Sequence, residues 1–424
     1  MNISELHKLF LNSNSVSTDT RKINKNDMFF ALKGDNFNGN KYAEAALKSG
    51  AKYAIVDEAE FNINEQTILV ENVLETLQEL ATYHRNFLKV PIIALTGSNG
   101  KTTTKELINA VLSRKFKTTA TVGNLNNHIG VPLTLLSMTR DTEIGIVEMG
   151  ANHQKEIAFL CNIAQPDYGL ITNFGKAHLE GFGGVEGVIK GKSEMYDYLI
   201  SHDKTVFVNN NDPIQVEKTK KSRIYSFGSL KSDVIIKFKE ANPFVNLLYK
   251  ELKIKTQLIG DYNFGNIAIA IAIGHYFKIN KESIKLAIES YQPSNNRSQI
   301  IKKEGVQIIL DAYNANPTSM RAALLNLEKQ SGKKVAILGD MFELGDDGEL
   351  EHQEITNLAV SLNFDKVIFV GENFHKSNLS KSIGVQYKSF DDFKSDFNFS
   401  SIQNSTLLIK GSRGMALERV LDLL

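Results

Sequence analysis

The chain has a single cysteine, Cys161, among its 424 residues. An intramolecular disulfide is therefore impossible, and a metal site built from cysteine thiolates is excluded. A secreted protein stapled by disulfides is ruled out, although a secreted disulfide-free one is not. Charge of one sign is also lacking: 49 Lys and Arg stand against 48 Asp and Glu. No long basic run is present, so a strongly electrostatic partner is not indicated and no nucleic acid is expected. Long apolar runs are missing too. The most apolar helical stretch, Ile267 to Gly274, falls far short of the roughly 18–20 residues that span a bilayer, so no membrane partner is expected. The N-terminus, Met1-Asn-Ile-Ser-Glu-Leu-His-Lys8, has no basic region followed by an apolar core and does not read as a signal peptide. The cytoplasm is the expected location.

What is present is an ordinary globular composition, 42% hydrophobic and 23% charged. At this length two to four domains are expected, with ample material for several cores. Residues 1–89 read as a small α/β unit. Ala51-Lys-Tyr-Ala-Ile-Val56 and Thr67-Ile-Leu-Val70 have the pattern of short buried strands, and Val73 to Leu88 that of an amphipathic helix with Leu74, Leu77, Leu80 and Ala81 on one side. A second unit, 90–291, opens on the apolar strand Val90-Pro-Ile-Ile-Ala-Leu95. Further strand-like runs follow at Ile144–Val147, Tyr168–Ile171 and Thr205–Val208, and Asn263 to Phe277 reads as a buried helix. Strand, loop and helix in alternation predict a parallel, doubly wound sheet. A third unit, 292–424, has strands at Val306–Leu310, Val335–Leu338, Lys366–Val370 and Thr406–Lys410, each followed by a polar or glycine-bearing loop.

The strongest local signal is Thr96-Gly-Ser-Asn-Gly-Lys-Thr-Thr103, between an apolar strand and a segment whose Leu107, Ile108, Val111 and Leu112 form one helical face. Gly97 and Gly100 let backbone N–H groups turn inward around a phosphate, with Ser98 and Asn99 between them. Lys101 supplies a point charge and the Thr102 hydroxyl can meet Mg²⁺, with Thr103 completing the turn. The general motif wants glycine at position 95, where leucine stands. ATP or GTP binding is the functional reading, and an incidental glycine turn is the bland one.

Glu148 follows its strand directly and so sits at the carboxyl end of a sheet, where a carboxylate can meet Mg²⁺; a lone glutamate there is more often simply solvated. His178 lies in a loop after another strand, where a single histidine is usually just hydrogen-bonded. Lys190 and Lys192 would ordinarily be exposed helix residues. Gly123-Asn-Leu-Asn-Asn-His-Ile-Gly130 offers the amides Asn124, Asn126 and Asn127 for sugar, phosphate or carboxylate recognition, or only a turn-rich loop. In the third unit, Asp311-Ala-Tyr-Asn-Ala-Asn-Pro317, Leu338-Gly-Asp-Met-Phe-Glu-Leu-Gly345 and Lys410-Gly-Ser-Arg-Gly414 would together edge a cleft between domains.

These motifs, taken in order, resemble the Mur ligases over nearly the whole chain. The markers are Gly97 to Glu106, Asn124 to Gly130, Glu148-Met-Gly-Ala151, His178-Leu-Glu-Gly-Phe-Gly183 and the three loops of the third unit. The resemblance implies an α/β fold of three domains. These are a small N-terminal UDP-sugar-binding domain (1–89), a central ATP-binding domain with a P-loop-type parallel sheet (90–291), and a C-terminal Rossmann-like ligase domain (292–424). It implies an ATP- and Mg²⁺-dependent ligase that joins D-Ala-D-Ala to UDP-MurNAc-tripeptide through an acyl phosphate, and a monomer is expected. By resemblance Thr102 and Glu148 would hold one Mg²⁺, and His178 and a carbamylated Lys192 a second. Asn263 and Asn266 resemble adenine-contacting asparagines, Arg297 and Asp311 residues that meet the nucleotide on closure, and Ser17, Thr18 and Asp19 part of a UDP site. The chain departs from the family at Asn38-Gly39-Asn40, Tyr262 and Asn296, where Asp-Gly-His, His and Gly are frequent. A sister ligase adding one amino acid, or a catalytically silent scaffold, remains as an alternative. The Asp-Asn-Pro-Arg sequence of the diaminopimelate-adding sister is absent.

Overall fold

Runs of Val, Ile and Phe alternating with helices build three large, mainly parallel sheets. The structure, a computed structural model, describes residues 1–294, 296–380 and 383–424. The first sheet has four parallel strands in the order Val16–Ser17, Met28–Phe30, Tyr53–Val56 and Thr67–Leu69. Helix Val73–Leu88 starts where the Asn72 side chain accepts the N–H groups of Leu74 and Glu75. It buries Val73, Leu77, Leu80, Ala81 and His84, while Leu74, expected on that face, is only half-buried at its flank.

The central sheet runs Thr118–Ala120, Ile144–Glu148, Ile92–Thr96, Tyr168–Ile171, Thr205–Asn209, Arg223–Gly228 and Val234–Ala241 in parallel, then Phe244–Tyr249 and Leu252–Ile259 antiparallel. Ile92–Thr96 lies inside the sheet and all five of its residues are buried. A strand covered on both faces reads as an unbroken apolar run, as this one does. The antiparallel pair was not anticipated, because Asn246 interrupts the first strand, the second carries Lys253 and Lys255, and no helix separates them. Helix Asn263–Tyr276 buries every residue from Asn266 to Gly274. Being apolar all round, it packs on several sides at once, including the phosphate-loop helix Lys101–Leu112.

The third sheet has Gln299–Lys303 as an antiparallel edge, followed by Val306–Asp311, Ser405–Lys410, Lys333–Gly339, Lys366–Val370 and Gly384–Tyr387 in parallel. Asp311 is in register with Lys410, which in turn pairs with Leu338. The three polar loops singled out by sequence therefore emerge side by side. They face the central sheet. Asn316 Nδ2 donates to Asn99 Oδ1 at 2.8 Å, the Lys176 N–H to Thr318 Oγ1 at 2.9 Å, and Lys329 pairs with Asp261 at 2.7 Å.

Candidate active site

Between the strand ending at Thr96 and the helix beginning at Lys101, the chain must turn sharply. Gly97 has φ +142° and Gly100 φ +78°, values that side-chain-bearing residues rarely adopt. A Cβ on Gly97 would stand 2.0 Å from Thr172 Oγ1, and one on Gly100 2.4 Å from Asn266 Oδ1. The loop is braced from the neighbouring strand's end. The Ser98 N–H donates to Asn173 O and the Asn99 N–H to Asn173 Oδ1, both at 3.1 Å. Thr172 Oγ1 returns a bond to Asn99 O at 2.6 Å. A helix start with free backbone N–H groups and a positive dipole end suits an anion. Lys101 folds back over the loop, its Nζ donating to Gly97 O at 2.7 Å. Burial pushes its pKa down, Glu148 opposes this, and Arg297 adds to it. A phosphate here would supply the counter-charge.

Glu148 is 1% exposed. Its Oε1 accepts from Thr102 Oγ1 at 3.3 Å and from Asn126 Nδ2 at 2.8 Å. Its Oε2 is buried with no hydrogen-bond partner among the described residues. A buried carboxylate oxygen left without a partner is costly, and a hard cation beside the Thr102 hydroxyl would satisfy it. Among the described residues no group of three or more His, Cys, Asp or Glu forms a ready-made metal cage. Mg²⁺ does not require one, since it keeps waters and takes one or two carboxylates plus substrate phosphates.

Ser98 to Thr103, Asn126 and Glu148 form one wall of a cleft of about 400 Å³; Asn263, Asn266, Arg297 and Asp311 also line it. Asn266 Nδ2 donates to Asn263 Oδ1 at 2.9 Å and accepts at Oδ1 from Thr104 at 3.0 Å, which fixes both amides. From the third sheet, Arg297 lies over the Tyr313 ring at 3.7 Å. Asp311 accepts from the Ser298 N–H at 3.0 Å and from Lys410 Nζ at 2.6 Å. Lys410, Tyr313 and Thr318 also line the cleft without having been singled out individually from the sequence. Lys410 ends an apolar strand, so its sequence context carries no sign that its buried ammonium faces Asp311.

Three family models match in succession: "Mur ligase family, catalytic domain" over 13–90, "Mur ligase middle domain" over 95–274, and "Mur ligase, glutamate ligase domain" over 296–413. The UDP-N-acetylmuramoyl-tripeptide–D-alanyl-D-alanine ligase of Bacillus subtilis (strain 168) is 33% identical over 96% of this chain and 92% of its own. The chain belongs to the Mur ligase family. The ligase of the same name from Escherichia coli (strain K12) is 33% identical over 98% of this chain and 94% of its own. Among solved structures, MurF from Acinetobacter baumannii superposes with a TM-score of 0.87 at 32% identity, covering 97% of this chain and 93% of that one. MurF ligase from Thermotoga maritima in complex with ADP gives 0.84 at 26% identity, covering 98% and 97%.

The remaining candidate residues of this Mur ligase lie outside the cleft wall. Gly97 supports the phosphate loop from behind. His178 pairs with Glu343 of the third sheet's Leu338–Gly345 loop, and this contact holds the Glu343 carboxyl below its usual pKa. Lys192 is fully buried while Lys190 is exposed. Lys192 Nζ donates to Ala151 O at 2.9 Å and sits 4.7 Å from the centre of the Phe182 ring. Burial, reinforced by the Lys101 charge, drives its pKa well below that of an ordinary lysine. Asn124 and Asn127 are exposed, and Asn127 Oδ1 accepts the N–H groups of Ile129 and Gly130 at 3.1 and 2.9 Å, the turn-forming role. Ser17, Thr18 and Asp19 leave the edge strand of the first sheet. Ser17 Oγ donates to Asp19 O at 3.0 Å, and hydrogen bonds from Arg21 hold the Asp19 carboxyl at about 2.

Proposed function

We infer that this chain joins D-alanyl-D-alanine to UDP-N-acetylmuramoyl-tripeptide at the expense of ATP, forming the UDP-linked pentapeptide used in peptidoglycan synthesis. The observation that carries this reading is the convergence, in one cleft, of the phosphate loop, the half-satisfied Glu148 and the third-sheet residues Arg297 and Asp311. The full-length likeness to ligases of that name supports the substrates. Residues 1–89, 90–291 and 292–424 serve as UDP-sugar-binding, ATP-binding and ligase domains. The reading makes the chain a cytoplasmic monomer; among the described residues no helix is long and apolar enough to cross a membrane.

When bound, ATP supplies the phosphoryl group that turns the tripeptide's terminal carboxylate into an acyl phosphate, and Mg²⁺ offsets the negative charge. The chain's own part is positioning and electrostatics. The turn from Gly97 to Asn99 shapes the loop, backbone N–H groups from Gly100 to Thr103 cradle the phosphates, and Lys101 steadies the charge that spreads during transfer. Thr102 and Glu148 hold one Mg²⁺, and His178 with Lys192 serve a second. CO₂ reacts with a neutral amine, and burial favours that form of Lys192; the carbamate would be an anionic oxygen ligand. Asn263 and Asn266 fix the adenine side. Arg297 and Asp311 cover the nucleotide from the third sheet, which excludes water that would hydrolyse the activated carboxylate. Asn124, Asn126 and Asn127, with Ser17, Thr18 and Asp19, contact the UDP-linked substrate.

Phosphate release measured with ATP and Mg²⁺, omitting the tripeptide substrate and the dipeptide in turn, tests the reading. Release that needs both, with pentapeptide detected by mass spectrometry, is the expected result. Stimulation by single amino acids and not by the dipeptide would move the chain to a sister ligase, and nucleotide binding without turnover would make it a scaffold.

A further inference from the structure

One loop marked out by its sequence is absent from the described walls of the nucleotide cleft: Leu338-Gly-Asp-Met-Phe-Glu-Leu-Gly345. It is nonetheless held in place. Asp340 is buried, and its carboxylate accepts the N–H groups of Asn373 and Phe374, both at 2.9 Å. The Met341 N–H donates to His352 Nε2 at 3.0 Å, and the Phe342 N–H to Ser412 Oγ at 2.9 Å. The next residue, Glu343, has φ +62°, a conformation disfavoured for a residue with a Cβ. That turn sends its carboxylate across to His178, while its carbonyl accepts the Glu180 N–H at 3.4 Å. The side chain stays 50% exposed, so a small solute can reach it.

Resting on the ligase reading above, we propose that Glu343 is an acceptor-binding residue whose carboxylate receives the ammonium group of the incoming dipeptide beside His178. An α-amino group has a pKa of about 7.7–8.0, so the acceptor arrives largely charged at neutral pH and needs an accessible anion. Two other carboxylates of the site are already committed. Glu148 is buried behind Thr102 and Asn126, and Asp311 is held by Lys410 and Ser298. Glu343 is instead exposed and paired with an imidazole, a partner that can be exchanged. In the step it serves, the ammonium first loses one proton to solvent. The amine nitrogen then bonds to the acyl carbon. The carbon–oxygen bond to phosphate breaks, phosphate leaves with the electron pair, and the second proton is lost from nitrogen to give the amide.

The test is a competition in the full chain. Wild type and E343Q, supplied with ATP, Mg²⁺ and the tripeptide substrate, are offered the dipeptide and hydroxylamine together. Pentapeptide and hydroxamate are then quantified by mass spectrometry. Hydroxylamine is uncharged at neutral pH and needs no anionic partner. The pentapeptide-to-hydroxamate ratio is expected to fall about tenfold or more in E343Q, the effect of losing one charge-assisted hydrogen bond, with KM for the dipeptide rising in step and E343D recovering part of the loss. An unchanged ratio overturns the proposal, including the case in which both products fall together, since that outcome makes Glu343 only a contact between sheets. A wild-type chain that forms hydroxamate but no pentapeptide would overturn the acceptor assignment itself, and this proposal with it.

Discussion

At Glu148, one carboxylate oxygen takes hydrogen bonds from Thr102 and Asn126 while the other is buried without a partner. Such a group costs stability in the empty protein and is retained where a ligand will complete it. E148Q removes the charge at constant shape. We expect the nucleotide-free variant to be more stable by about 1–3 kcal/mol, because a neutral amide in that buried place costs less than a charged carboxylate even though its second polar atom is still left without a partner. It should also lose the stabilisation by ADP with Mg²⁺, and turnover should fall roughly 10²-fold or more. Calorimetric unfolding with and without ADP and Mg²⁺ checks both halves, and a less stable empty variant would contradict the argument. Individual residues were unevenly legible from the sequence. The phosphate loop announced itself through glycine spacing, whereas Lys410 and Glu343 acquire their partners only when distant loops meet.

Helix Pro317–Glu328 begins with two devices visible in the chain: Asn316 as a reciprocal cap with Ser319, and Pro317 in the first turn. The cap also reaches outward, since Asn316 Nδ2 donates to Asn99 Oδ1 of the phosphate loop. N316A should therefore cost about 1 kcal/mol from the lost cap and, separately, raise KM for ATP through a loosened loop. Thermal unfolding and steady-state kinetics read the two effects independently. An unchanged KM would limit Asn316 to capping. Helices and buried parallel strands were legible at this scale because their periodicities are strong. Val73–Leu88, Tyr168–Ile171 and Lys366–Val370 match their sequence readings in extent. The short strands Val16–Ser17 and Met28–Phe30 were not anticipated. Two or three residues carry no measurable period, and only their neighbours in the sheet make them strands.

Across the whole molecule, the first and central sheets are tied by a pair of buried histidines. His7, on helix Ile3–Leu11, approaches His84 on helix Val73–Leu88 with Nε2 and Nδ1 3.0 Å apart, and His84 Nε2 donates to Met138 O at 2.9 Å. A carbonyl only accepts, so His84 carries its proton on Nε2, and its Nδ1 accepts from His7. Burial, with His84 adding to it, lowers the His7 pKa from 6.5 to about 4. Between those values the unfolded chain binds a proton that the folded chain refuses. Stability should therefore fall as pH drops from 6.5 towards 4, and this contribution should be flat above neutrality. His7→Gln keeps a donor that does not titrate. Its unfolding midpoint should vary less with pH across that window than wild type, as followed by circular dichroism. Equal pH dependence would exclude the pair as the cause.

Composition and local pattern alone determined that this is a mainly parallel α/β protein with a phosphate loop, a strand-end glutamate and three polar loops after strands. Those features are written in residues that are close in sequence: glycine spacing, apolar runs of strand length, capping residues. Tertiary structure decided which of the candidates share a site. It brought Arg297, Asp311 and Lys410 to the nucleotide cleft and turned Asn126 inward to Glu148 while Asn127 closed a turn. It also buried Lys192, left Lys190 exposed, and set Glu343 against His178. The physical reason is that desolvation and charge pairing depend on what surrounds a group in space. A sequence fixes the group itself, and only the assembled sheets fix its surroundings.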